Sequence, residues 1–306
     1  MVTVLLAVCN GEKYLKEQID SLLNQTFNDI RIIIRDDGST DNSLDIINDY
    51  CKKYPLIISS LTGKPTGSAV GNFAELLYNC DDDYIMFCDQ DDVWLPQKIE
   101  KTLSVMKKTE GADKNTPVLV HSDLIVADQN LKTVSQSFFA FQRLDPENIS
   151  LSGLLVQNCV TGCTVMINRA LKEKCGKIPN DCIMHDWWLA ITAQLFGKIA
   201  CVREPLMLYR QHSDNQVGAK ASYGIALIKR KLSTLNEVRK NYNATYAQAQ
   251  AVLRHYAGSL AEKERNLLEI YVSIPSKNKF KKIRIMQKYG FKKGTALRVI
   301  GQYILI

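Results

Sequence analysis

The chain has 306 residues, of which 46% are hydrophobic, enough to fill one large α/β core or two smaller ones. It carries a net charge of +7 and nine cysteines, an odd number set mostly in apolar patterns, which argues against a disulfide framework. The first residues lack the basic region of a signal peptide, and no run approaches ~18 apolar residues, so no membrane-spanning helix is expected.

The first part of the chain alternates strand-like and helix-like segments. Predicted strands are Thr3–Val8, Ile30–Ile34, Leu56–Leu61 and Tyr84–Cys88, and predicted helices begin near Tyr14, Thr40 or Asp41, Asn72 and Pro96. This alternation predicts a parallel, doubly wound sheet flanked by helices. The polar loop Gly63–Gly71 matches neither a P-loop nor a dinucleotide fingerprint, so it is a weak phosphate signal.

The second part is less regular. Predicted strands are Val118–His121, Leu124–Ala127, Cys163–Ile167, Ile199–Val202 and Leu206–Arg210, with a helix at His185–Phe196. From Tyr223 to Ser273 the chain is expected to be helical, since it is basic and low in Gly and Pro, and Ser273–Ser276 breaks this pattern at a proline.

Charge is distributed unevenly along the chain. Residues 220–306 contain 18 Lys and Arg but only four Glu, so residues 1–219 are net acidic. A basic tail on an acidic body indicates an anionic partner, such as a membrane surface, an anionic lipid-linked substrate or nucleic acid. A solvated helical appendage or a subunit interface in a homo-oligomer would explain the tail equally simply.

An acidic run, Asp89–Asp92, directly follows the apolar strand Tyr84–Cys88. Buried carboxylates are costly, and ligands bind at the strand ends of open α/β sheets, so this run suggests a site. Oxygen ligands in this number suit Mg²⁺ or Mn²⁺, which often hold substrate phosphates. The alternative is an acidic loop that caps the helix beginning near Pro96.

A second acidic pair, Asp36 and Asp37, follows the strand Ile30–Ile34. A carboxylate there can accept a hydrogen bond from a nucleobase N–H or from a ribose hydroxyl. The sequence that continues through Gly38 to Asp41 is also good turn and helix-cap chemistry, so a purely local role is the alternative.

The order of these motifs resembles the inverting nucleotide-sugar glycosyltransferases of the large family two, which have the GT-A fold. The resemblance covers roughly residues 1–215 and rests on four motifs in the same order. These are Asn10-Gly11, the Asp36–Asp41 segment, the Asp89–Asp92 run and Asp186 beside two tryptophans. Residues 89–94, 185–188 and 209–212, with Asn215, are most similar to bacterial rhamnosyltransferases of surface-polysaccharide assembly. The resemblance implies a Rossmann-like, mostly parallel sheet flanked by helices, with a basic, helical C-terminal extension.

The resemblance also implies a role for particular residues. Asp186 is expected to be the catalytic base, with His185 as the alternative. A divalent metal, Mn²⁺ or Mg²⁺, is expected on Asp89, Asp91 and His212, although His212 could instead be a structural histidine. The donor site is expected to contain Asp36, Asp37, Asn10, Asn72, Asp89, Trp94 and Arg210.

Inverting transfer needs these residue types. A base removes the proton of the attacking hydroxyl, and a divalent cation stabilises the charge of the departing nucleoside diphosphate. Two positions depart from the family pattern, since Ala7 and Cys9 stand where Thr or Ser and Tyr are common. The Gln-x-x-Arg-Trp motif of processive synthases is absent from the sequence after Asp186, so transfer of a single sugar is expected.

The expected donor is dTDP-L-rhamnose, with a UDP-hexose or UDP-N-acetylhexosamine next, and the expected acceptor is a lipid-linked saccharide. Residues 1–219 are expected to form the catalytic domain, divided into a nucleotide-binding half, 1–115, and an acceptor-binding half, 116–219. Residues 220–306 would form the extension, and the protein would be cytoplasmic, with peripheral contact at the inner face of the membrane. The alternatives are a nucleotidyltransferase and a non-catalytic nucleic-acid- or membrane-binding protein. RNA-binding signatures are missing, and the acidic body would repel a nucleic-acid backbone.

Overall fold

The computed structural model describes residues 1–179, 182–212 and 235–305. Three sequence-based expectations lie outside these residues: the motif position Asn215, the domain boundary at 219/220 and the helix start at Tyr223.

The first part of the chain forms the predicted parallel arrangement. Its strands are β1 (Val2–Val8), β2 (Ile30–Asp36), β3 (Ile58–Ser60) and β4 (Tyr84–Cys88), and its helices are α1 (Leu15–Leu23), α2 (Ser43–Lys53) and α3 (Ala69–Tyr78). The strands lie in the order β3-β2-β1-β4, all parallel. Helix α3 begins three residues before its predicted start, because the Ser68 hydroxyl caps it by accepting the Gly71 N–H at 3.1 Å.

The second part completes the sheet with strands of mixed direction. It contains β5 (Val93–Trp94), α4 (Lys98–Glu110), β6 (Val118–Ala127), β7 (Thr133–Ser135), α5 (Phe138–Gln142), α6 (Leu151–Leu154), a 3₁₀ turn (Gly162–Thr164), β8 (Met166–Asn168), α7 (Arg169–Cys175), α8 (His185–Phe196) and β9 (Lys198–Arg210). Strand β8 is antiparallel to both β4 and β6, whereas β6 and β9 run parallel. The predicted fold class, an α/β sheet flanked by helices, is confirmed.

Three local predictions in this part are wrong. The two strand pairs predicted at 118–127 and 199–210 are single strands, because β6 and β9 stay paired across register shifts near Ser122 and Asp123. The strand predicted at Cys163–Ile167 begins only at Met166, since residues 162–164 form a 3₁₀ turn.

Hydrophobic side chains fill both faces of the sheet. In β1, Val4 and Leu6 point to the face covered by α1, α2 and α4, and Leu5 points to the opposite face with α3 and α8. Burial on both faces explains why the strands are almost uniformly apolar.

The C-terminal helices pack on the face of the sheet that also carries α3 and α8. They are α9 (Leu235–His255), α10 (Glu262–Ser273), α11 (Lys279–Tyr289) and α12 (Ala296–Leu305), with a 3₁₀ turn at Ile274–Ser276. The predicted helical character of this region and the predicted break at Ser273–Ser276 are confirmed within the described residues, where α9 ends at His255 and α10 begins at Glu262. Tyr242, Val252 and Tyr256 share one core with Trp188. Among the described helices, none is both long and apolar enough to cross a membrane.

Candidate active site

A cavity of about 340 Å³ opens where β1, β2 and β4 end. Four of the residues predicted for the site line it: Asp37, Asn72, Asp89 and Asp91. The carboxyl ends of parallel strands meet at one edge of a sheet. This explains how Asp37 and Asp89, which are 52 positions apart in the sequence, line the same cavity.

Asp37 is held by the loop that precedes α3. Its carboxylate accepts the backbone N–H groups of Thr66 at 2.7 Å and Gly67 at 2.8 Å, and an Arg35 N–H at 2.7 Å. Burial raises the pKa of Asp37, but these hydrogen bonds outweigh it and keep the pKa below its ordinary value. The group is therefore an ionised hydrogen-bond acceptor at neutral pH.

Asp36 and Asn10 shape the neighbouring loops instead of lining the cavity. The Asp36 carboxylate accepts the backbone N–H groups of Gly38 at 2.9 Å and Ser39 at 2.8 Å. The Asn10 side-chain oxygen accepts the Thr40 N–H at 2.8 Å. The local turn interpretation therefore fits Asp36, and the expected donor contacts of Asp36 and Asn10 stay predictions beside their role in positioning the loops.

Arg35 is a site residue that the sequence reasoning missed. Its side chain is buried at the end of β2 and also donates to the Asn72 side-chain oxygen at 2.9 Å. The Asn72 amide in turn donates to the backbone oxygens of Val8 and Arg35, both at 3.2 Å, and so ties β1 to β2. The signal in the sequence is an arginine that interrupts an otherwise apolar buried strand just before two aspartates.

Gln90, inside the acidic run, makes a second link between strand ends. Its side-chain amide accepts from the Cys9 N–H at 2.8 Å and donates to the Cys9 oxygen at 3.0 Å. Gly11 lies against this amide, since a Cβ there would stand 2.5 Å from the Gln90 oxygen. The loop after β1 is thereby joined to the loop after β4.

The aspartates of the run point in two directions. Asp89 and Asp91 line the cavity, whereas Asp92 is fully buried behind it. Burial, and then the carboxylates of Asp91 and Asp186, raise the pKa of Asp89 to about 7. Burial, and then the carboxylates of Asp91 and Asp89, raise the pKa of Asp92 well above its ordinary value. The ionised carboxylates of the run therefore repel one another, and a bound cation would reduce this repulsion.

His212 and Arg210 hold the acidic run from β9. His212 Nε2 lies 2.8 Å from an Asp91 carboxylate oxygen, and Arg210 Nε donates to the Asp91 backbone oxygen at 2.7 Å. A second Arg210 nitrogen donates to Glu17 at 2.5 Å. Arg210 is buried behind the run, and Trp94 is buried in the core with the Lys98 nitrogen 3.6 Å from its ring centroid. Neither Arg210 nor Trp94 lines the cavity, and their expected donor contacts stay predictions.

The residues present fit a divalent cation. Asp89 and Asp91 offer carboxylate oxygens at the cavity, and His212 adds an imidazole next to Asp91, a donor set that suits Mn²⁺. Within the described residues, the one group of three ligand atoms that lie within 4.8 Å of one another belongs to Asp89, Asp92 and Cys163, and the buried Asp92 Oδ2 has no hydrogen-bond partner. The set of Asp89, Asp91 and His212 is not gathered this closely, and Asp89 belongs to both sets.

Asp186 lies in the first turn of α8 with its side chain 8% exposed. Burial raises its pKa to about 7, although backbone N–H groups, including that of Trp187 at 2.5 Å, act in the opposite direction. Since Asp186 also raises the pKa of Asp89, the two carboxylates are close enough to interact. A carboxylate with a pKa near neutrality is suited to take up a proton.

His185 is less suited to be the base. Its ring lies between Phe73 and Phe87, with centroid distances of 4.2 and 5.0 Å, and neither ring nitrogen has a hydrogen-bond partner. Burial lowers its pKa to about 3, so the ring is neutral. His185 therefore packs as a neutral ring in the core next to Asp186, and Asp186 remains the candidate base.

The sequence is similar to known glycosyltransferases. The family model "Glycosyl transferase family 2" matches residues 3–173. A dTDP-rhamnosyl transferase of Shigella flexneri, RfbG, is 31% identical over 249 residues, which are 78% of this chain and 80% of that protein.

Solved structures show the same fold at low sequence identity. The S. aureus TarS fragment 1–349, in complex with UDP-GlcNAc, has a TM-score of 0.53 at 16% identity and covers 94% of this chain and 80% of its own. The mannosyltransferase PcManGT from Pyrobaculum calidifontis, in complex with GDP-Man and Mn²⁺, has a TM-score of 0.54 at 13% identity and covers 94% and 84%. These likenesses establish the GT-A fold.

Proposed function

The chain belongs to glycosyltransferase family 2, and from that premise we propose that it transfers one sugar with inversion from a nucleotide donor to a saccharide acceptor. The favoured donor is dTDP-L-rhamnose, supported by the similarity to the Shigella dTDP-rhamnosyl transferase. A UDP-hexose or UDP-N-acetylhexosamine is the next choice.

The observation that carries the proposal is the convergence of carboxylates on one cavity. Asp37, Asp89 and Asp91 line it, and Asp186 interacts electrostatically with Asp89. A nucleotide-sugar needs an acceptor for its base, a way to neutralise its diphosphate and a base near its anomeric carbon. The cavity supplies a candidate residue for the first two needs, and Asp186, which interacts with Asp89, is the candidate for the third.

Each residue would have a distinct part in the reaction. Asp37, kept ionised by its hydrogen bonds, would accept the N–H of the nucleobase. Asp186 would take the proton from the acceptor hydroxyl as that hydroxyl attacks the anomeric carbon. Asp89 and Asp91, with His212 beside them, would hold a divalent cation, which when bound stabilises the negative charge of the leaving diphosphate.

The acceptor is proposed to be a lipid-linked saccharide at the cytoplasmic face of the membrane, as in assembly of a surface polysaccharide. Helices α11 and α12 support this location, because Phe280, Ile300 and Ile304 are exposed there beside Lys279 and Lys281. The Lys279 nitrogen donates to the Ile304 backbone oxygen at 3.3 Å, so the start of α11 lies next to the end of α12. We name these exposed residues the α11–α12 surface.

The decisive experiment is calorimetric titration with dTDP-L-rhamnose, UDP-glucose and UDP-N-acetylglucosamine, each with Mn²⁺ and with EDTA. We expect metal-dependent binding of dTDP-L-rhamnose, and transfer should then be tested on a lipid-linked saccharide pool. Tighter binding of a UDP-sugar would overturn the donor assignment. Failure of all three donors to bind in Mn²⁺ would contradict the proposed nucleotide site.

A further inference from the structure

Lys98 is a fully buried lysine at the start of α4, directly behind the acidic run. Its nitrogen donates to the Cys163 backbone oxygen at 2.6 Å and lies 3.0 Å from the Met207 sulfur. It also lies 3.6 Å from the centroid of the Trp94 ring. An ammonium group so far from water is stable only when a negative charge compensates it.

Burial lowers the pKa of Lys98, and the carboxyl groups of Asp92 and Asp89 act on it through space in the opposite direction. Ligand atoms of Asp89, Asp92 and Cys163 lie within 4.8 Å of one another, and Cys163 is the residue that Lys98 contacts. The Asp92 carboxylate has one oxygen bonded to the Arg210 N–H at 3.0 Å, and its other oxygen is buried without a partner. In its ionised form Asp92 therefore needs a cation nearby, as the ammonium form of Lys98 needs an anion.

We propose that Lys98 is the resident counter-cation of the acidic run and decides where a divalent metal is held. It balances Asp92 from the core side. A second cation at the Asp89–Asp92–Cys163 set would then be repelled by the ammonium group, because charges interact strongly in a buried environment. Asp89 and Asp91 remain to hold the metal at the cavity wall, and Asp92 is a structural carboxylate.

Lys98 is on this account a positioning residue that acts through Asp92. The assignment of the metal to the cavity side rests on the proposed function, whereas the pairing of Lys98 with Asp92 does not. The two parts are tested separately, first without metal and then with Mn²⁺ alone.

The metal-free test is a double-mutant cycle with Lys98→Met, Asp92→Asn and the double variant, followed by urea unfolding in EDTA. Both single variants leave one buried charge uncompensated, so each should lower stability, and the double variant should lose much less than their sum. Additive losses would overturn the pairing. Met106→Ala, which opens a cavity in the same buried face of α4, should be additive with Asp92→Asn.

The metal test is calorimetric binding of Mn²⁺ alone. Asp92→Asn should bind Mn²⁺ within about threefold of wild type, whereas Asp91→Asn should weaken binding roughly tenfold or more. Lys98→Met should bind Mn²⁺ more tightly than wild type, because it removes a nearby positive charge. Loss of Mn²⁺ binding in Asp92→Asn would overturn the metal placement. If Lys98→Met does not fold, the comparison of Asp92→Asn with Asp91→Asn still decides it.

If wild type binds no Mn²⁺ at all, the metal dependence of the proposed function fails. The double-mutant cycle then still decides the pairing of Lys98 with Asp92, so the two failures are distinguishable.

Discussion

At the scale of single residues, the site contains two carboxyl groups whose surroundings shift their pKa values in opposite directions. Asp37 has its pKa held below the ordinary value by hydrogen bonds, whereas Asp186 has its pKa raised by burial to about 7. Two carboxyl groups with separated pKa values can divide the work of accepting a hydrogen bond and accepting a proton. This division leads to two predictions.

Asp186→Asn should abolish most transfer but stabilise the metal-free protein at high pH. The pKa of Asp186 is raised in the folded state from 3.8 to about 7, so its stabilising contribution is complete below pH 3.8 and is lost as the pH rises through 7. Each pKa unit corresponds to about 1.4 kcal/mol, so the variant should gain on the order of a few kcal/mol over wild type at pH 8.

Thermal unfolding in EDTA at pH 4 and pH 8 measures this difference, which should vanish at pH 4. The exposed Asp49→Asn serves as the matched control and should change neither value. Transfer should fall roughly 10²–10⁴-fold in Asp186→Asn. Wild-type activity should rise with pH to a plateau above about 7, and an activity flat from pH 5 to 8 would exclude Asp186 as the base.

Asp37→Asn should weaken donor binding by roughly 10–100-fold, because a neutral amide is a poorer acceptor for the nucleobase N–H. It also leaves the buried Arg35 without its ionic partner, so a stability loss of about 1–3 kcal/mol is expected. Calorimetry with the donor and urea unfolding separate the two effects. Asn10→Ala, which alters only the loop contact to Thr40, should change donor affinity less than about threefold; a larger effect would support Asn10 as a donor contact.

At the scale of elements, the strand ends position the carboxylates and the C-terminal helix pair offers a surface of different chemistry. The Asn72 amide and the Gln90 side chain tie β1 to β2 and to the loop after β4, so the acidic loops are fixed relative to one another. The α11–α12 surface instead combines exposed apolar side chains with lysines, which suits an anionic lipid interface.

The double variant Phe280→Ser with Ile304→Ser should reduce co-sedimentation with anionic phosphatidylglycerol vesicles at least severalfold, because buried apolar area drives interfacial binding. Lys279→Glu with Lys281→Glu should reduce it further, by about 1 kcal/mol or more per residue. Leu56→Ser, which removes an apolar side chain that is 96% exposed elsewhere, is the control. Equal sedimentation of wild type with neutral vesicles, or with none, would contradict a membrane contact.

At the scale of the whole molecule, the C-terminal helices complete the core of the body. Tyr256 in the turn after α9 is buried against Trp188, with ring centroids 6.0 Å apart, and its hydroxyl lies 2.8 Å from that of Thr192 in α8. Because α8 also carries Asp186, the described part of the extension supports the catalytic helix. A division into independently folding body and extension does not follow from this packing.

Tyr256→Ala should therefore destabilise the whole protein by about 3–5 kcal/mol, in a single cooperative transition. Urea unfolding monitored by tryptophan fluorescence and by circular dichroism should give coincident curves. Tyr78→Ala, at a position that is 66% exposed, should cost less than about 0.5 kcal/mol. Two separate transitions, with only one shifted, would indicate an extension that folds by itself.

The sequence by itself determined the fold class, the family and the location of the acidic site. Alternating strands and helices predict a parallel sheet, and Asp37, Asp89 and Asp91 follow strands whose ends must meet at one edge. These inferences succeed because they depend on local periodicity and on the geometry of neighbouring strands.

Only the tertiary structure decided which polar side chains face the cavity and which face the core. Trp94, Arg210 and Asp92 are buried away from the cavity, and Arg35 donates to both Asp37 and Asn72. The direction of a side chain beyond a strand end is set by contacts between distant segments, such as that of Lys98 with Cys163. Sequence periodicity carries no information about those contacts, because each depends on how separate elements pack together.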